Sequence, residues 1–340
     1  MKIKLTGKKI LISIPVIFIL LGVYFLYPPA YPKLAYPGGK KFAFSIVDDT
    51  DNSTLANTKP VYDFLRQLNM LTTKTVWILP SNDTGRWANR GECLQDSAYR
   101  EFILDLKAEG FEIALHGIRG GNSKREEIIP ALEYYKTVLG VYPKININHA
   151  VNTDNLYWGE DKLGYNPMKF AYNLFFSKKL YFGSDSGSQY FWGDLVQKYI
   201  TYVVNFSFYD INLLKINPLM PYHDPDKPYV NYWFHTSDGG YVTTFNNLIS
   251  RENVDRLEEE GGVCLVYTHL ARDFYKDDSL NAKFKERMEY LASRAGWFVP
   301  ASEILDFLHR QKKGEEVLSF REKIRLDIIW IYQKIMHGSS

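Results

Sequence analysis

Acid and imidazole side chains recur along this chain just after short apolar runs. Asp48 and Asp49 follow FAFSIV, His116 follows EIAL, His149 follows ININ, Asp185 comes shortly after Tyr181 and Phe182, and His269 follows VCLVYT. Gathered on one rim, such groups suit metal-assisted hydrolysis. Adjacent carboxylates at a strand end point to different sides, so one can bind a divalent cation while its neighbour faces the water bound there. A cation held by Asp and neutral His lowers the pKa of that water from 15.7 toward ~7, and a nearby carboxylate takes the remaining proton. Cleaving an amide also needs an acid for the leaving nitrogen, and an imidazole of ordinary pKa, about 6.5, exists in both proton states. Singly, each residue reads more simply. The run Asp48, Asp49, Thr50, Asp51, Asn52, Ser53 can cap the next element, and Asp185 sits in a Gly/Ser turn. Their joint placement argues for chemistry.

The elements that would bring them together alternate. Between residues 41 and 311, short β-branched and aromatic runs predict strands at 42–47, 73–79, 112–115, 145–148, 181–182, 202–205 and 263–267. Helical faces recur between them: Val61, Phe64, Leu65 and Leu68; Phe102, Ile103 and Leu106; Ile128, Leu132, Tyr135 and Leu139; Phe284, Met288, Leu291 and Ala295. The stretch 209–245, rich in Pro, Asp and Tyr, breaks the rhythm and is expected to be an irregular insertion or hairpin. Strand-helix alternation of this length predicts an α/β fold, a distorted seven-stranded (β/α) barrel, in which chemistry sits where strands end.

Composition narrows the function. With 41 basic and 39 acidic side chains among 340 residues the charge is too balanced for a nucleic-acid partner. Two cysteines, Cys93 and Cys264, provide neither a disulfide framework nor a four-thiolate zinc site. No phosphate-cradling loop, dinucleotide fingerprint or nucleophile elbow occurs. Residues 10–27 carry no charge and, at ~1.5 Å per residue, reach nearly across a hydrocarbon core of about 30 Å. Lys2, Lys4, Lys8 and Lys9 precede this run, so residues 1–27 are expected to be a cytoplasmic tip and single-pass anchor, with the bulk of the chain extracytoplasmic. A cleaved signal peptide is the rival, poorly served by the residues that follow. Residues 28–40, dense in Pro, Tyr and Gly, read as a stalk, and 41–311 as the catalytic barrel. Residues 312–340 read as a basic amphipathic helix, either lying on a membrane or docked on its own domain.

The motifs then resemble a known family, the polysaccharide deacetylases (carbohydrate esterase family four, the nodulation-protein-B homology domain). Ser45-Ile46-Val47-Asp48-Asp49 is similar to its first motif, a strand ending in Thr-Phe-Asp-Asp, and Lys74-Thr75-Val76-Trp77 is similar to its second strand. Gly110-Phe111-Glu112-Ile113-Ala114-Leu115-His116 is similar to the segment bearing a metal-binding His, and Leu265-Val266-Tyr267-Thr268-His269 to a late Leu-x-x-His motif. The resemblance covers most of residues 41–308. It implies Asp48 as general base, Asp49 and His116 as ligands of one divalent ion such as zinc, and His269 as acid. Tyr267 and the aromatic insertion with Trp233 would shape a sugar pocket, and Asp185 stands where the family often has an Asp-containing loop.

Two departures stand out. The family's second metal His, four residues after the first, is replaced by Gly120, and its Arg-Pro motif by Ile147-Asn148-His149-Ala150. His149 could supply the third ligand, or Asn122 could bend back to do so; imidazole is the better ligand for zinc-like ions, which favours His149. A third alternative is that the ion is lost. The expected function is therefore a membrane-anchored hydrolase that removes N-acetyl groups from an amino-sugar polysaccharide or its precursor. The alternatives are a degenerate barrel that binds glycan or serves as a scaffold of the cell envelope, and a metal-free glycosidase pairing Asp48 with Asp185.

Overall fold

The computed structural model describes residues 22, 26–27, 29–31, 33–85, 90–176, 180–312, 314 and 316–338. Nearly all of the anchor expected at 10–27 lies outside the described residues. Among those described, no helix is long and apolar enough to cross a membrane.

Parallel strands alternate with helices. Strand β1 (Phe42–Asp48) leads to helix α1 (Leu55–Gln67), β2 (Thr73–Val76) to α2 (Ser97–Ala108), β3 (Glu112–Leu115) to α3 (Arg125–Leu139), and β4 (Ile145–Asn146) to α4 (Asn166–Phe175) and α5 (Gly193–Tyr199). After β5 (Tyr202–Phe208) come α6 (Leu213–Ile216) and β6 (Tyr232–Asp238), then α7 (Val242–Leu248), α8 (Arg251–Glu260) and β7 (Val263–Thr268). A two-stranded hairpin, β8 (Tyr275–Lys276) and β9 (Ser279–Leu280), precedes α9 (Ala282–Ala292), β10 (Gly296–Phe298), α10 (Ala301–Gln311) and α11 (Phe320–His337). Strands β1 to β7 pair in sequence order, and β7 returns to β1 over Ala43 to Asp48, which closes a seven-stranded barrel. One edge of β1 is divided: Phe42 to Phe44 pair with β10, Val47 and Asp48 with β2.

Both faces of β1 are covered, so all seven of its residues are buried. Their side chains alternate between two apolar layers. Phe42, Phe44 and Ile46 join the layer between strands and helices; Ala43 and Val47 join the barrel interior with Ile145, Val204, Phe234 and Leu265. Helix α1 starts at a capping box between Thr54 and Asn57 and packs Val61, Tyr62, Phe64 and Leu65 inward.

Two sequence expectations change here. Tyr181 and Phe182 form no strand. The missing barrel strand is β6, inside the stretch expected to be irregular. It was hidden because Tyr-Trp-Phe-His-Thr-Ser-Asp mixes aromatic and polar residues: a strand whose inner face borders a polar cavity need not be apolar. Between the two readings of the C-terminal helix, α11 docks on its own domain. Ile324, Leu326, Trp330 and Ile331 are buried, with Trp330 stacked on Tyr172, while Phe320, Tyr332, Ile335 and Met336 remain exposed.

Candidate functional site

The carboxyl ends of the strands open into a cavity of about 250 Å³. Asp49 continues the β1 ladder, its backbone N–H donating to the Thr268 carbonyl (2.8 Å), and the turn at Thr50–Ser53 follows at once. Asn52 takes a left-handed backbone (φ 61°) there, which Asn tolerates, and Asp51 is thereby set over the barrel mouth. His116 directly follows β3, and Gly117 (φ 62°) then turns the chain away. His269 directly follows β7 in the same manner, and His149 stands three residues past the end of β4.

The three imidazoles converge on Asp51. Its Oδ1 lies 3.2 Å from His149 Nε2 and 3.5 Å from His116 Nε2; its Oδ2 lies 3.2 Å from His269 Nε2 and 3.3 Å from Arg272 Nη2. All four side chains are buried or nearly so. Burial opposes the Asp51 charge, yet hydrogen bonds from His116, His149 and His269 hold its carboxyl well below the usual range. Burial pushes His116 down to about 4, so its ring is neutral. Burial also works against charge on His149, but the hydrogen bond and charge of Asp51 prevail and raise it. Asp49 is raised well above the usual carboxylate range by burial, then by the charges of Asp51 and Asp48.

Hydrogen bonds fix the tautomers. The Asn152 side-chain oxygen accepts from Gly121 N–H (2.9 Å), so it must also accept from His149 Nδ1 (2.9 Å). A proton therefore sits on Nδ1, and Nε2 is the ring atom turned toward Asp51. His269 Nδ1 likewise donates to the Gly240 carbonyl (2.8 Å), which turns Nε2 toward Asp51.

This set can hold a cation. One oxygen of Asp51 and one ring nitrogen each of His116 and His149 lie within 4.8 Å of one another, all from buried residues. A carboxylate with two imidazoles suits zinc and similar divalent ions. His116 Nδ1 and Asp49 Oδ1, 3.7 Å apart, are buried atoms with no hydrogen-bond partner among the described residues, the mark of a centre whose polar groups await a further partner.

Several expected residues stand elsewhere. Asp48 does not reach the cavity. It belongs to the β1 face that looks outward to the helices, where it is fully buried against Lys74 Nζ (2.8 Å), the Tyr62 hydroxyl (3.2 Å) and Leu270 N–H (2.8 Å). The place expected for Asp49 in the ligand set is taken by Asp51, with Asp49 beside it. Asp185 lies in an exposed turn, its carboxylate accepting from Gly187 N–H (3.0 Å), away from the cavity. Trp233 is 1% exposed and packs in the strand–helix layer against Tyr157; on β6 its parity is that of the outer face. Tyr267 does line the cavity, with its ring 5.3 Å from that of His269. The position of the absent ligand at Gly120 is filled by an indole: a Cβ there would lie 2.7 Å from Cη2 of Trp77, whose ring meets that of His149 edge-on at 5.7 Å.

Sequence reasoning missed Asp51 as a candidate ligand, together with Arg272, Tyr241, Trp158 and Lys162 on the cavity wall. For Asp51 the signal was present. It stands in the same acidic run as Asp48 and Asp49, in the turn that leaves β1 at the barrel mouth.

No protein-family model matches the chain, and no curated protein matches it in sequence. Solved structures match in fold. PuuE allantoinase aligns with a TM-score of 0.51 at 13% identity, over 83% of this chain and 94% of that one. A probable polysaccharide deacetylase from Pseudomonas aeruginosa PAO1 aligns at 0.48 and 14% identity, over 83% and 95% of the two chains. Peptidoglycan deacetylase PdaC from Bacillus subtilis aligns at 0.37 and 12% identity, over 83% and 96%. Identity this low is likeness of fold, and of these three only the first exceeds a TM-score of 0.5.

Proposed function

We propose that the chain is a divalent-metal-dependent hydrolase that removes N-acetyl groups from an amino-sugar polysaccharide or its precursor, held at the outer face of a membrane by residues 10–27. The observation that carries the reading is the convergence of Asp51, His116 and His149 at the carboxyl ends of parallel barrel strands. The sequence resemblance and the deacetylases among the fold neighbours support it.

Asp51, His116 and His149 would hold the ion. A divalent cation there supplies Lewis-acid polarisation of the acyl carbonyl and lowers the pKa of a water. The other roles fall to side chains of the chain. Burial and two neighbouring carboxylates favour the neutral form of Asp49; beside a divalent ion its charged form is favoured instead, and in that form it serves as general base in place of Asp48. His269 delivers a proton from Nε2 to the leaving nitrogen, its ring held by the Gly240 carbonyl. Asp51 Oδ2, 3.2 Å from Nε2, holds the ring in place from the other side. Tyr267, Tyr241 and Arg272 wall the cavity and orient the sugar.

The test is elemental analysis of the purified chain together with acetate release from chito-oligomers and peptidoglycan fragments, with zinc, cobalt or nickel added. Stoichiometric metal that Asp51→Asn abolishes, along with acetate release, is expected. A folded chain that takes up no metal and releases no acetate from any glycan would overturn the reading.

A further inference from the structure

Lys162 is a buried amine with no carboxylate partner among the described residues. It ends the short turn Gly159–Lys162 and is only 3% exposed. Its Nζ lies 3.3 Å from the centre of the Trp158 ring and 5.3 Å from that of Trp330. No carboxylate pairs with it among the described residues. The charges acting on it are those of Lys334 and Lys227, and together with burial they push its ammonium well below the ordinary lysine range. An unpaired ammonium away from water is costly, so its place in the fold calls for a reason. The two indole faces attract the ammonium and offset part of that cost, and the backbone carbonyl of Lys162 accepts from Lys227 Nζ (2.6 Å), but neither supplies a negative charge.

The position suggests one. Lys162, Trp158 and Ala150 belong at once to the cavity above Asp51 and to a second of about 270 Å³, walled by Tyr172, Tyr181, Trp330 and Lys334. A ligand that fills both passes across the Lys162 side chain. Aromatic walls suit sugar rings, while paired lysines suit an oxyanion. We propose that the second cavity is a subsite for an anionic sugar unit, whose carboxylate or phosphate pairs with Lys162 while the neighbouring, acyl-bearing unit occupies the cavity above Asp51. This rests on the hydrolase reading and narrows its substrate to an acidic glycan.

Binding tests it without turnover. The full chain in detergent is titrated at low ionic strength with glucuronate, glucose 1-phosphate and uncharged methyl glucoside, followed by the indole fluorescence of Trp158 and Trp330. A charged ligand is expected to bind about tenfold or more tightly than methyl glucoside. Glucuronate in the lead assigns a carboxylate, glucose 1-phosphate a phosphate. In Lys162→Met, and in Lys162→Gln, which keeps a polar end, the preference falls to about one. Thermal melting confirms folding of both variants, which lose an unpaired buried charge. Equal binding of charged and neutral ligands by the wild type, or a preference that survives both substitutions, overturns the proposal. Because the readout is binding, its result stands whether or not the chain releases acetate.

Discussion

Asp48 and Asp49 are adjacent carboxylates, and the structure assigns them opposite duties. In Asp48→Ala, Lys74 remains fully buried with its one ion-pair partner among the described residues gone. Breaking a buried pair in this way costs about 3–5 kcal/mol, because the surviving charge is left in a medium that solvates it poorly. Tyr62 and Leu270 N–H also lose the acceptor they share. At ~2–4 °C per kcal/mol for a domain of this size, the melting temperature falls on the order of 10 °C. Asp49→Asn is the contrast. Its carboxyl already favours the neutral form, which an amide mimics, so the melting temperature moves by about 3 °C or less while acetate release is lost. The double variant Asp48→Leu with Lys74→Met removes both charges and recovers most of the loss, since an apolar pair of similar volume replaces a buried ionic one at little cost. Circular-dichroism melts and metal analysis on the same samples decide the matter. If Asp48→Ala melts with the wild type but no longer takes up metal, Asp48 faces the centre and the parity argument is wrong.

Three further outcomes are expected. Replacing Asn152 with Leu frees the His149 ring to adopt the other tautomer, so metal affinity measured by chelator competition drops ~10–100-fold while the fold persists. Gly120→His, which restores the family's ligand by type, adds no metal affinity and lowers stability by about 1–3 kcal/mol in urea melts, because Trp77 occupies the space. Burial raises Asp327 to about 7 and leaves it accepting from Gly164 N–H. The folded chain therefore holds this proton more tightly than the unfolded one, and the Asp327 contribution to stability falls as pH rises from about 3.8 to about 7. Asp327→Asn removes that dependence, so its melting temperature relative to wild type rises between pH 5 and pH 8; a constant offset would contradict it.

Much of the barrel was legible because its strands are short apolar runs between amphipathic helices. The strand at Glu112–Leu115 is read from sequence with its observed limits, and those beginning at Phe42, Thr73, Tyr202 and Val263 with their observed starts. Strand β6 was not, since Thr236 faces the cavity while buried His235 and Ser237 interrupt its outward face, so the hydrophobic period is lost. The imidazoles at residues 116, 149 and 269 were visible because each closes an apolar run at a strand exit, one residue past β3 and β7 and three past β4. Lys162 carried no such signal. It comes from a turn between β4 and α4 and reaches the cavity through packing alone.

The order of strands and helices, the rim on which chemistry sits and the residue types found there follow from local pattern, because periodicity dictates which face of an element is buried. Which carboxylate looks inward, and which turn bends one back over the mouth, was settled only by closure of the barrel. Pairing β7 with β1 fixes the rotation of β1, sends Asp48 toward Lys74 and the helices, and leaves Asp49 and Asp51 facing the three imidazoles.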